Sequence, residues 1–297
     1  MGQPAFLRIN GKTVQVSSPY QPALRVEDEL IGRNQEARMV LASWIGQSGF
    51  PPLAPLLVGE AGVGKNRLVY ELARCTGKNL YVFQGHEDVT AEDLVCAVRF
   101  SDDPLRKMDY ILSPLATAMA RGGICFVDEI GKLRSRALAP LVSVLDERRY
   151  LDSNLLGERI MAHPGFRFVA ATNTVDLAGN ALPEFIHSRL RPRIDVGFPP
   201  REEIDRMVKT RFPRIGRLER DSDRLLSLFW QLWRKERGDV PPSPRDTLYL
   251  FGLMLNLADA DAASPDRSLS QEGEKPPANP TRKHLEAAFQ QLFAKTG

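Results

Sequence analysis

Short apolar runs alternate with longer amphipathic stretches through the middle of the chain. The runs are PLLV at 55–58, LYVF at 80–83, GICFV at 123–127 and FRFVA at 166–170. The stretches between them have helix-like patterns. Strands that alternate with helices in this way indicate a parallel sheet covered on both faces. We therefore predict an α/β fold for this region.

Two further patterns precede this region. Residues 6–16 contain two short β-prone runs around Asn10-Gly11, a dipeptide that favours a type I′ turn, so we predict a small hairpin. Residues 26–47 carry apolar side chains at helical spacing. The predicted core contacts of this helix are Leu30, Met39, Leu41 and Trp44.

Pro199-Pro200 ends the alternation, and the chain beyond it has a helical pattern. The predicted helices cover 201–212, 221–237, 244–260 and 281–295. Residues 264–280, rich in Ser, Pro, Glu and Asp, are predicted to form a flexible loop. The predicted parts of the chain are an N-terminal hairpin and extension (1–25), an α/β domain (26–200) and a smaller all-helical domain (201–297).

The composition narrows the class of protein. Of 297 residues, 43% are hydrophobic and 26% are charged, which excludes a collagen-like or fully disordered chain. Lys and Arg number 40 against 37 Asp and Glu, and this net charge of +3 is too balanced to indicate a nucleic-acid or membrane-surface protein.

The chain also lacks signals for a membrane or an oxidising compartment. No apolar run approaches the roughly 18 residues that span a bilayer, and the first ten residues lack a signal-peptide pattern. Cys75, Cys96 and Cys125 have no CxxC spacing and no neighbouring His, so neither a disulfide framework nor a zinc site is predicted. We expect a reducing, cytoplasmic setting and no membrane span.

The sharpest chemical signal is the octapeptide Gly59-Glu60-Ala61-Gly62-Val63-Gly64-Lys65-Asn66. It follows a predicted strand and opens a helix that continues with Arg67, the context that a phosphate-binding loop requires. Its glycines let backbone N–H groups turn toward phosphate oxygens. Lys65 is predicted to reach the β- and γ-phosphates of a nucleotide. Asn66 stands where Ser or Thr usually binds Mg²⁺, and its amide oxygen is a hard ligand that can do the same.

Polar residues also end two later strands. Asp128 and Glu129 directly follow the run at 123–127. Beside a phosphate loop, Asp128 is predicted to hold Mg²⁺ and Glu129 to polarise the attacking water. Asn173 follows the run at 166–170, where its amide can orient that water. Without the first two motifs, Asn173 would be interpreted as a turn residue.

Several arginines lie beyond these strands. Arg189, Arg191 and Arg193 have no acidic residue between them, so they require water, a partner or phosphate. An arginine supplied across a subunit boundary stabilises the charge of phosphoryl transfer. We predict this role for Arg189, with Arg191 and Arg193 as alternatives. Arg245 opens a predicted helix, where the helix dipole disfavours a cation and thereby favours a nearby anionic ligand.

In this order, the sequences GEAGVGKN, ICFVDE, AATNT, SRLRPRIDV and SPRDTLYLF resemble AAA+ ATPases of the MoxR or dynein-related branch. The resemblance covers about residues 25–295. Residues 85–123 resemble the family segment in which a helix is interrupted by an insert that faces the ring pore. Residues 133–152 resemble the family helix that follows the two acids.

This resemblance implies a P-loop AAA+ module, a parallel sheet sandwiched by helices, followed by a helical lid. It also implies a homo-oligomeric ring, usually a hexamer, with ATP and Mg²⁺ at the subunit interfaces. The roles that it implies are phosphate and Mg²⁺ binding for Lys65 and Asn66, Mg²⁺ binding for Asp128, water activation for Glu129, first sensor for Asn173, arginine finger for Arg189 and second sensor for Arg245.

Three functions are compatible with these residues. The leading hypothesis is a MoxR-like chaperone, a ring-forming ATPase that remodels or matures a partner protein, which in this family commonly carries a von Willebrand factor A domain. Asn66 motivates the second hypothesis, an ATP-binding switch or scaffold with little hydrolysis. The third is a DNA-acting loader or helicase component, because residues 189–220 hold ten Lys and Arg against five Asp and Glu. No nucleic-acid-binding module accompanies this excess, so nucleic acid is the less favoured partner.

Overall fold

The computed structural model describes residues 5–22, 30–47, 50–101, 107–179, 182–218, 220–263 and 279–293. Within these residues the chain forms two compact units. The first contains residues 5–22 and 33–197, and the second contains residues 30–32 and continues from residue 198. Residues 264–278 of the predicted loop lie outside the described part of the chain.

The first unit contains both strands and helices. Its strands are β1 (Phe6–Ile9), β2 (Lys12–Gln15), β3 (Leu56–Val58), β4 (Leu80–Gln84), β5 (Cys96–Phe100), β6 (Met108–Leu112), β7 (Ile124–Asp128), β8 (Tyr150–Ser153), β9 (Glu158–Met161), β10 (Arg167–Thr172) and β11 (Arg193–Asp195). Its helices are α1 (Asn34–Ser43), α2 (Lys65–Thr76), α3 (Pro114–Arg121), α4 (Leu141–Leu145), α5 (Thr174–Gly179) and α6 (Glu184–His187), with a 3₁₀ turn at Ile130–Lys132.

The central sheet has the strand order β11-β3-β10-β7-β4, and every neighbouring pair is parallel. The four predicted apolar runs form β3, β4, β7 and β10, and Leu57, Phe126 and Phe168 are at most 1% exposed. Burying each such side chain stabilises the fold by about 1.5–3 kcal/mol. The predicted α/β fold with a parallel sheet is confirmed. Because the carboxyl ends of parallel strands share one edge, the polar residues that follow β3, β7 and β10 meet there.

The predicted N-terminal hairpin forms but does not stand alone. Asn10 and Gly11 have φ values of 44° and 87°, the positive values that a type I′ turn requires. Strand β2 also pairs with β6, which gives a second sheet of order β1-β2-β6-β5. Strands β5 and β6 are an antiparallel hairpin that the sequence analysis did not predict. They lie in the segment at 85–123, of which α3 is the helical part.

Two expectations about helices need correction. Helix α1 begins at Asn34, and Met39 and Leu41 are 48% and 37% exposed, so they are not core contacts. The helix directs Val40 and the adjoining Trp44 into the core because residues four apart share a face. Positions 39 and 41 flank that face. Residues 26–29, the first part of the predicted helix, lie outside the described chain.

The segment after the two acids is less helical than the family resemblance implied. Of residues 133–152, only α4 is α-helical, and residues 135–140 form turns. The segment ends in β8, which pairs with β9 as an antiparallel hairpin. A short helix between turns therefore replaces the expected longer one.

The second unit is helical after residue 200. Its helices are α7 (Arg201–Arg211), α8 (Pro213–Gly216), α9 (Arg220–Arg237), α10 (Pro244–Ala263) and α11 (Arg282–Phe293). Aromatic and aliphatic side chains from these helices form its own core, with Phe229, Trp233, Phe251, Met254 and Phe289 among them. Among the described helices, none is long and apolar enough to cross a membrane.

Candidate nucleotide-binding site

The phosphate loop connects β3 to α2 at the carboxyl edge of the central sheet. Helix α2 starts at Lys65, and Gly64 before it has a φ of 106°, which only glycine adopts without strain. Glu60 accepts a hydrogen bond from the Thr174 hydroxyl, which joins the loop to the segment after β10. Arg67 lies half-buried in the first turn of α2. The loop therefore has the strand–loop–helix setting that phosphate binding requires.

Lys65 joins the loop to the end of β10. Its side chain is buried, and Nζ donates hydrogen bonds to the Gly59 carbonyl at 2.7 Å and the Glu60 carbonyl at 3.0 Å. A third hydrogen bond reaches Oδ1 of Asn173 at 2.9 Å. The structure thus brings together the predicted lysine and the predicted sensor asparagine, which are 108 positions apart.

Asp128 and Asn66 meet beside this lysine. Asn66 Nδ2 donates a hydrogen bond to Asp128 Oδ2 at 2.7 Å, and the Glu129 backbone N–H donates to Asp128 Oδ1 at 3.0 Å. Burial raises the pKa of the Asp128 carboxyl above its ordinary value, because desolvation disfavours the charged form. Tyr70 lies one helical turn after Asn66, and burial and the neighbouring Tyr20 raise its pKa to about 12, so the phenol stays protonated.

These residues fit Mg²⁺ in chemistry and in number. Asp128 supplies a buried carboxylate and Asn66 an amide, both with hard oxygen atoms. In the described part of the chain, no three His, Cys, Asp or Glu residues form a metal-binding group. Magnesium is commonly bound by one or two protein groups together with phosphates and water, so its remaining ligands would come from the nucleotide.

Substitution of Asn66 by threonine tests the metal role of this position. In the structure the amide NH₂ faces Asp128, whereas threonine offers a hydroxyl oxygen in the usual manner. We expect Asn66→Thr to lower the Mg²⁺ concentration for half-maximal ATP binding by about threefold to tenfold, the scale of one hydrogen bond. Asn66→Ala is the control and should raise that concentration. Identical titrations for the two variants would contradict the assignment.

Glu129 is held by two neighbours that the sequence analysis did not identify. Its Oε2 accepts hydrogen bonds from Lys132 Nζ at 2.7 Å and from Gln84 Nε2 at 3.0 Å. Gln84 pairs with Asp128 in the register of β4 and β7, and this pairing places Gln84 beside Glu129. At Gly85 an added Cβ would lie 2.5 Å from the Glu129 carbonyl oxygen, so only glycine allows this approach. Both hydrogen bonds fall on Oε2, so a water can still be polarised through Oε1.

The three candidate finger arginines have different surroundings. Arg193 forms an ion pair with Asp195 at 2.9 Å. Arg189 Nη1 donates to the Phe185 carbonyl at 2.6 Å, and its Nη2 lies 3.9 Å from Asp146. Its buried Nε has no hydrogen-bond partner among the described residues. Arg191 is exposed. The site at the sheet edge contains Lys65, Asn66, Asp128, Glu129 and Asn173, and these arginines lie outside it.

Arg245 belongs to the second unit and is exposed in the first turn of α10. Ser243 caps this helix through its hydroxyl, which accepts from the Asp246 backbone N–H at 3.1 Å and donates to the Asp246 carboxylate at 2.8 Å. The cap and Asp246 offset the unfavourable position of the arginine. The guanidinium of Arg245 is exposed, and its role as second sensor stays a prediction.

The middle of the chain is similar in sequence to known proteins. Residues 55–190 match the family described as AAA domain, dynein-related subfamily. NorQ from Paracoccus denitrificans is 36% identical over 121 residues, which cover 41% of this chain and 44% of NorQ. CbbQ from Hydrogenophilus thermoluteolus is 36% identical over 118 residues, which cover 40% of this chain and 43% of CbbQ.

The matches differ in extent. The denitrification regulatory protein NirQ from Stutzerimonas stutzeri is 31% identical over 58% of this chain and 60% of NirQ. The chain thus spans less than two thirds of the length of these three relatives. A RuvB variant from Thermotoga maritima has the same fold, with a TM-score of 0.58 at 18% identity over 89% of this chain and 72% of RuvB. Residues 55–190 are therefore similar to the AAA domain of the dynein-related subfamily, in agreement with the order of the motifs.

Proposed function

We propose that this protein hydrolyses ATP with Mg²⁺ and uses the energy to remodel a partner protein. The proposed assembly is a ring of identical subunits, a hexamer. The observation that carries the proposal is the contact of Lys65 with Asn173 and of Asn66 with Asp128, with Glu129 adjacent. These contacts assemble three strand ends into one site. The arrangement supports phosphoryl transfer to water more than any other reaction.

Each residue of the site has a chemical role in this proposal. Lys65 and the loop N–H groups bind the β- and γ-phosphates. Asp128 and Asn66 would hold Mg²⁺, which would supply positive charge near the phosphate oxygens. Glu129 accepts a proton as the water oxygen bonds to the γ-phosphorus, and the bond to the bridging oxygen breaks to leave ADP and phosphate. Asn173 orients the water.

We assign the finger role to Arg189 on the arrangement of its donors. Its Nε has no partner among the described residues, whereas the guanidinium of Arg193 is paired with Asp195. A finger acts on the ATP of a neighbouring subunit, so one site requires two chains. Phosphate release per subunit should therefore rise with protein concentration, and turnover that does not depend on concentration would argue against assembly.

Mixing two inactive variants tests the finger. Arg189→Ala and Glu129→Gln should each have little turnover. An equal mixture should recover about a quarter of wild-type turnover, because random assembly rebuilds that share of two-chain sites. The measurement is phosphate release from the mixture at saturating Mg-ATP. Arg191→Ala and Arg193→Ala serve as matched controls and should keep near-wild-type turnover when assayed alone. If either is inactive alone and recovers turnover when mixed with Glu129→Gln, the finger role moves to that arginine.

The proposed client is a protein, either the substrate itself or an adaptor with a von Willebrand factor A domain. Phe100 and Met108 face each other across the β5–β6 hairpin and are 85% and 50% exposed, which suits an apolar polypeptide surface. With ATP bound, the Glu129→Gln variant should retain a client. The double variant with Glu129→Gln and Phe100→Ser should lose it. The free cysteines Cys75, Cys96 and Cys125 support a cytoplasmic location.

The cations at 189–220 are largely paired with carboxylates, and this pairing favours a protein client over DNA. Several of its cations lie within 4.0 Å of carboxylates, in the pairs Arg193–Asp195, Arg201–Asp205, Lys209–Asp223 and Arg214–Asp259. Paired charges attract phosphate groups less than unpaired ones. DNA binding that weakens steeply with salt and strengthens with ATP would reverse this preference.

A second candidate is an ATP-bound switch with little hydrolysis. The observation that favours it is the double engagement of Glu129 Oε2 by Lys132 and Gln84, which fixes the orientation of the carboxylate that would activate the water. Tight ATP binding with turnover equal to that of Lys65→Ala would select the switch. Lys132→Ala would then be the variant in which hydrolysis emerges.

A further inference from the structure

Arg33 occupies a position that three physical rules disfavour. Its backbone is left-handed, with a φ of 66° and a ψ of 15°, although it is not glycine. It stands at the N-cap of α1 without a side-chain cap, where a cation opposes the helix dipole. Its side chain is only 8% exposed, so a full charge is buried. Residues that break several local rules at once are expected at functional positions.

Three acceptors hold the Arg33 guanidinium. Nη1 lies 3.0 Å from the Glu36 carboxylate in the first turn of the same helix. Nη2 donates to the Val63 carbonyl at 3.0 Å and to the Gly197 carbonyl at 2.6 Å. Arg33 therefore joins the phosphate loop to Gly197, which lies 164 positions after Arg33 in the chain. Hydrogen bonds from a charged donor are stronger than hydrogen bonds between neutral groups.

The contact with Val63 fixes one peptide group of the phosphate loop. In a planar trans peptide the carbonyl and the next N–H point in opposite directions. Because the Val63 carbonyl is held toward Arg33, the N–H of Gly64 is directed away from Arg33. Gly64 is the residue before α2, and its N–H belongs to the group that a helix N-terminus offers to phosphate.

The contact with Gly197 joins the same guanidinium to the boundary of the first unit. Arg33 is the residue at which the chain re-enters this unit, and Gly197 is the last residue before the chain leaves it for the second unit. Val196, next to Gly197, donates its N–H to the Val58 carbonyl at 2.6 Å, so this segment lies along β3. One buried side chain thus connects both crossing points with the loop.

We propose that Arg33 is a positioning residue of the nucleotide site, which holds the Val63–Gly64 peptide in its phosphate-binding orientation and ties that orientation to Gly197. This inference rests on the proposed nucleotide site. It explains why a strained, buried cation stands where asparagine would satisfy both the left-handed backbone and the helix cap.

The test separates positioning from stability. Arg33→Asn should unfold at a temperature equal to or above that of the wild type, because asparagine suits both backbone demands, yet bind a fluorescent ATP analogue about tenfold more weakly. KM for ATP should rise similarly, with kcat within about twofold. Arg33→Lys keeps the charge and should recover part of the affinity, and Glu36→Gln controls for loss of the ion pair.

The outcomes are distinct. Equal ATP affinity in Arg33→Asn and wild type overturns the inference, as does a loss of affinity that only follows a lower unfolding temperature. If wild type and Lys65→Ala bind the analogue equally, the nucleotide site itself is wrong. Weaker binding in Arg33→Asn at unchanged stability, with partial recovery in Arg33→Lys, establishes the positioning role.

Discussion

We expect Glu129→Gln to abolish ATP turnover while ATP binding persists. The amide cannot accept the proton of the attacking water, and removal of a general base lowers turnover about 10²- to 10⁴-fold. The side chain keeps its shape, and the contacts that place phosphate, from Lys65 and the loop, remain. The measurement is phosphate release at saturating Mg-ATP together with the dissociation constant of a fluorescent ATP analogue.

A matched substitution on the same unit controls for nonspecific effects of losing a carboxylate. Glu147 is exposed just beyond α4, so Glu147→Gln should keep both turnover and binding. Turnover of Glu129→Gln at the wild-type rate would show that another group activates the water. Loss of binding as well as turnover would show that Glu129 contributes to the ground-state complex.

Lys65→Ala has the largest expected effect on ATP binding. Nζ is the cation of the loop, and a hydrogen bond from a charged donor contributes about 1.5–3 kcal/mol. We expect ATP affinity to fall roughly tenfold to a hundredfold, the equivalent of that free energy. Titration of the fluorescent ATP analogue measures it.

Lys78 provides the control for this substitution. Its Nζ also donates to two backbone carbonyls, those of Gly165 at 2.9 Å and Gly122 at 3.3 Å, but at the other end of the central strands. Lys78→Ala removes a comparable set of hydrogen bonds without touching the phosphate loop, so ATP affinity should be unchanged. If both variants weaken binding equally, the effect comes from loss of fold stability rather than from phosphate recognition.

The sequence predicted those parts of the site that depend on local pattern. Four of the five central strands are apolar runs, and the phosphate loop, Asp128 and Asn173 each lie at the carboxyl end of one of them, so their shared edge follows from parallel pairing. Lys65, Asp128 and Asn173 were found in this way, and the contacts of Lys65 with Asn173 and of Asn66 with Asp128 agree with their grouping.

The remaining features depend on register and on backbone conformation, which no local pattern reveals. Gln84 reaches Glu129 because β4 pairs with β7 in one particular register. Strand β5 escaped prediction because only Cys96 of its residues is buried, so it shows no alternation. Helix α1 buries the face that carries Val40 and Trp44, so Met39 and Leu41 on either side of Val40 are exposed.

The close approach of β4 and β7 at Gly85 has a consequence for how this site can vary. The Gly85 backbone N–H donates to the Asp128 carbonyl at 2.8 Å, and no side chain separates the two strands there. The positions of Asp128 and Glu129 relative to β4 are thus determined by main-chain atoms, which have no rotamers. Side chains around them can be exchanged, as Asn66 is for a hydroxyl, while the acids keep their places. Sequence drift at this site can therefore retune metal affinity and rate without rebuilding its frame.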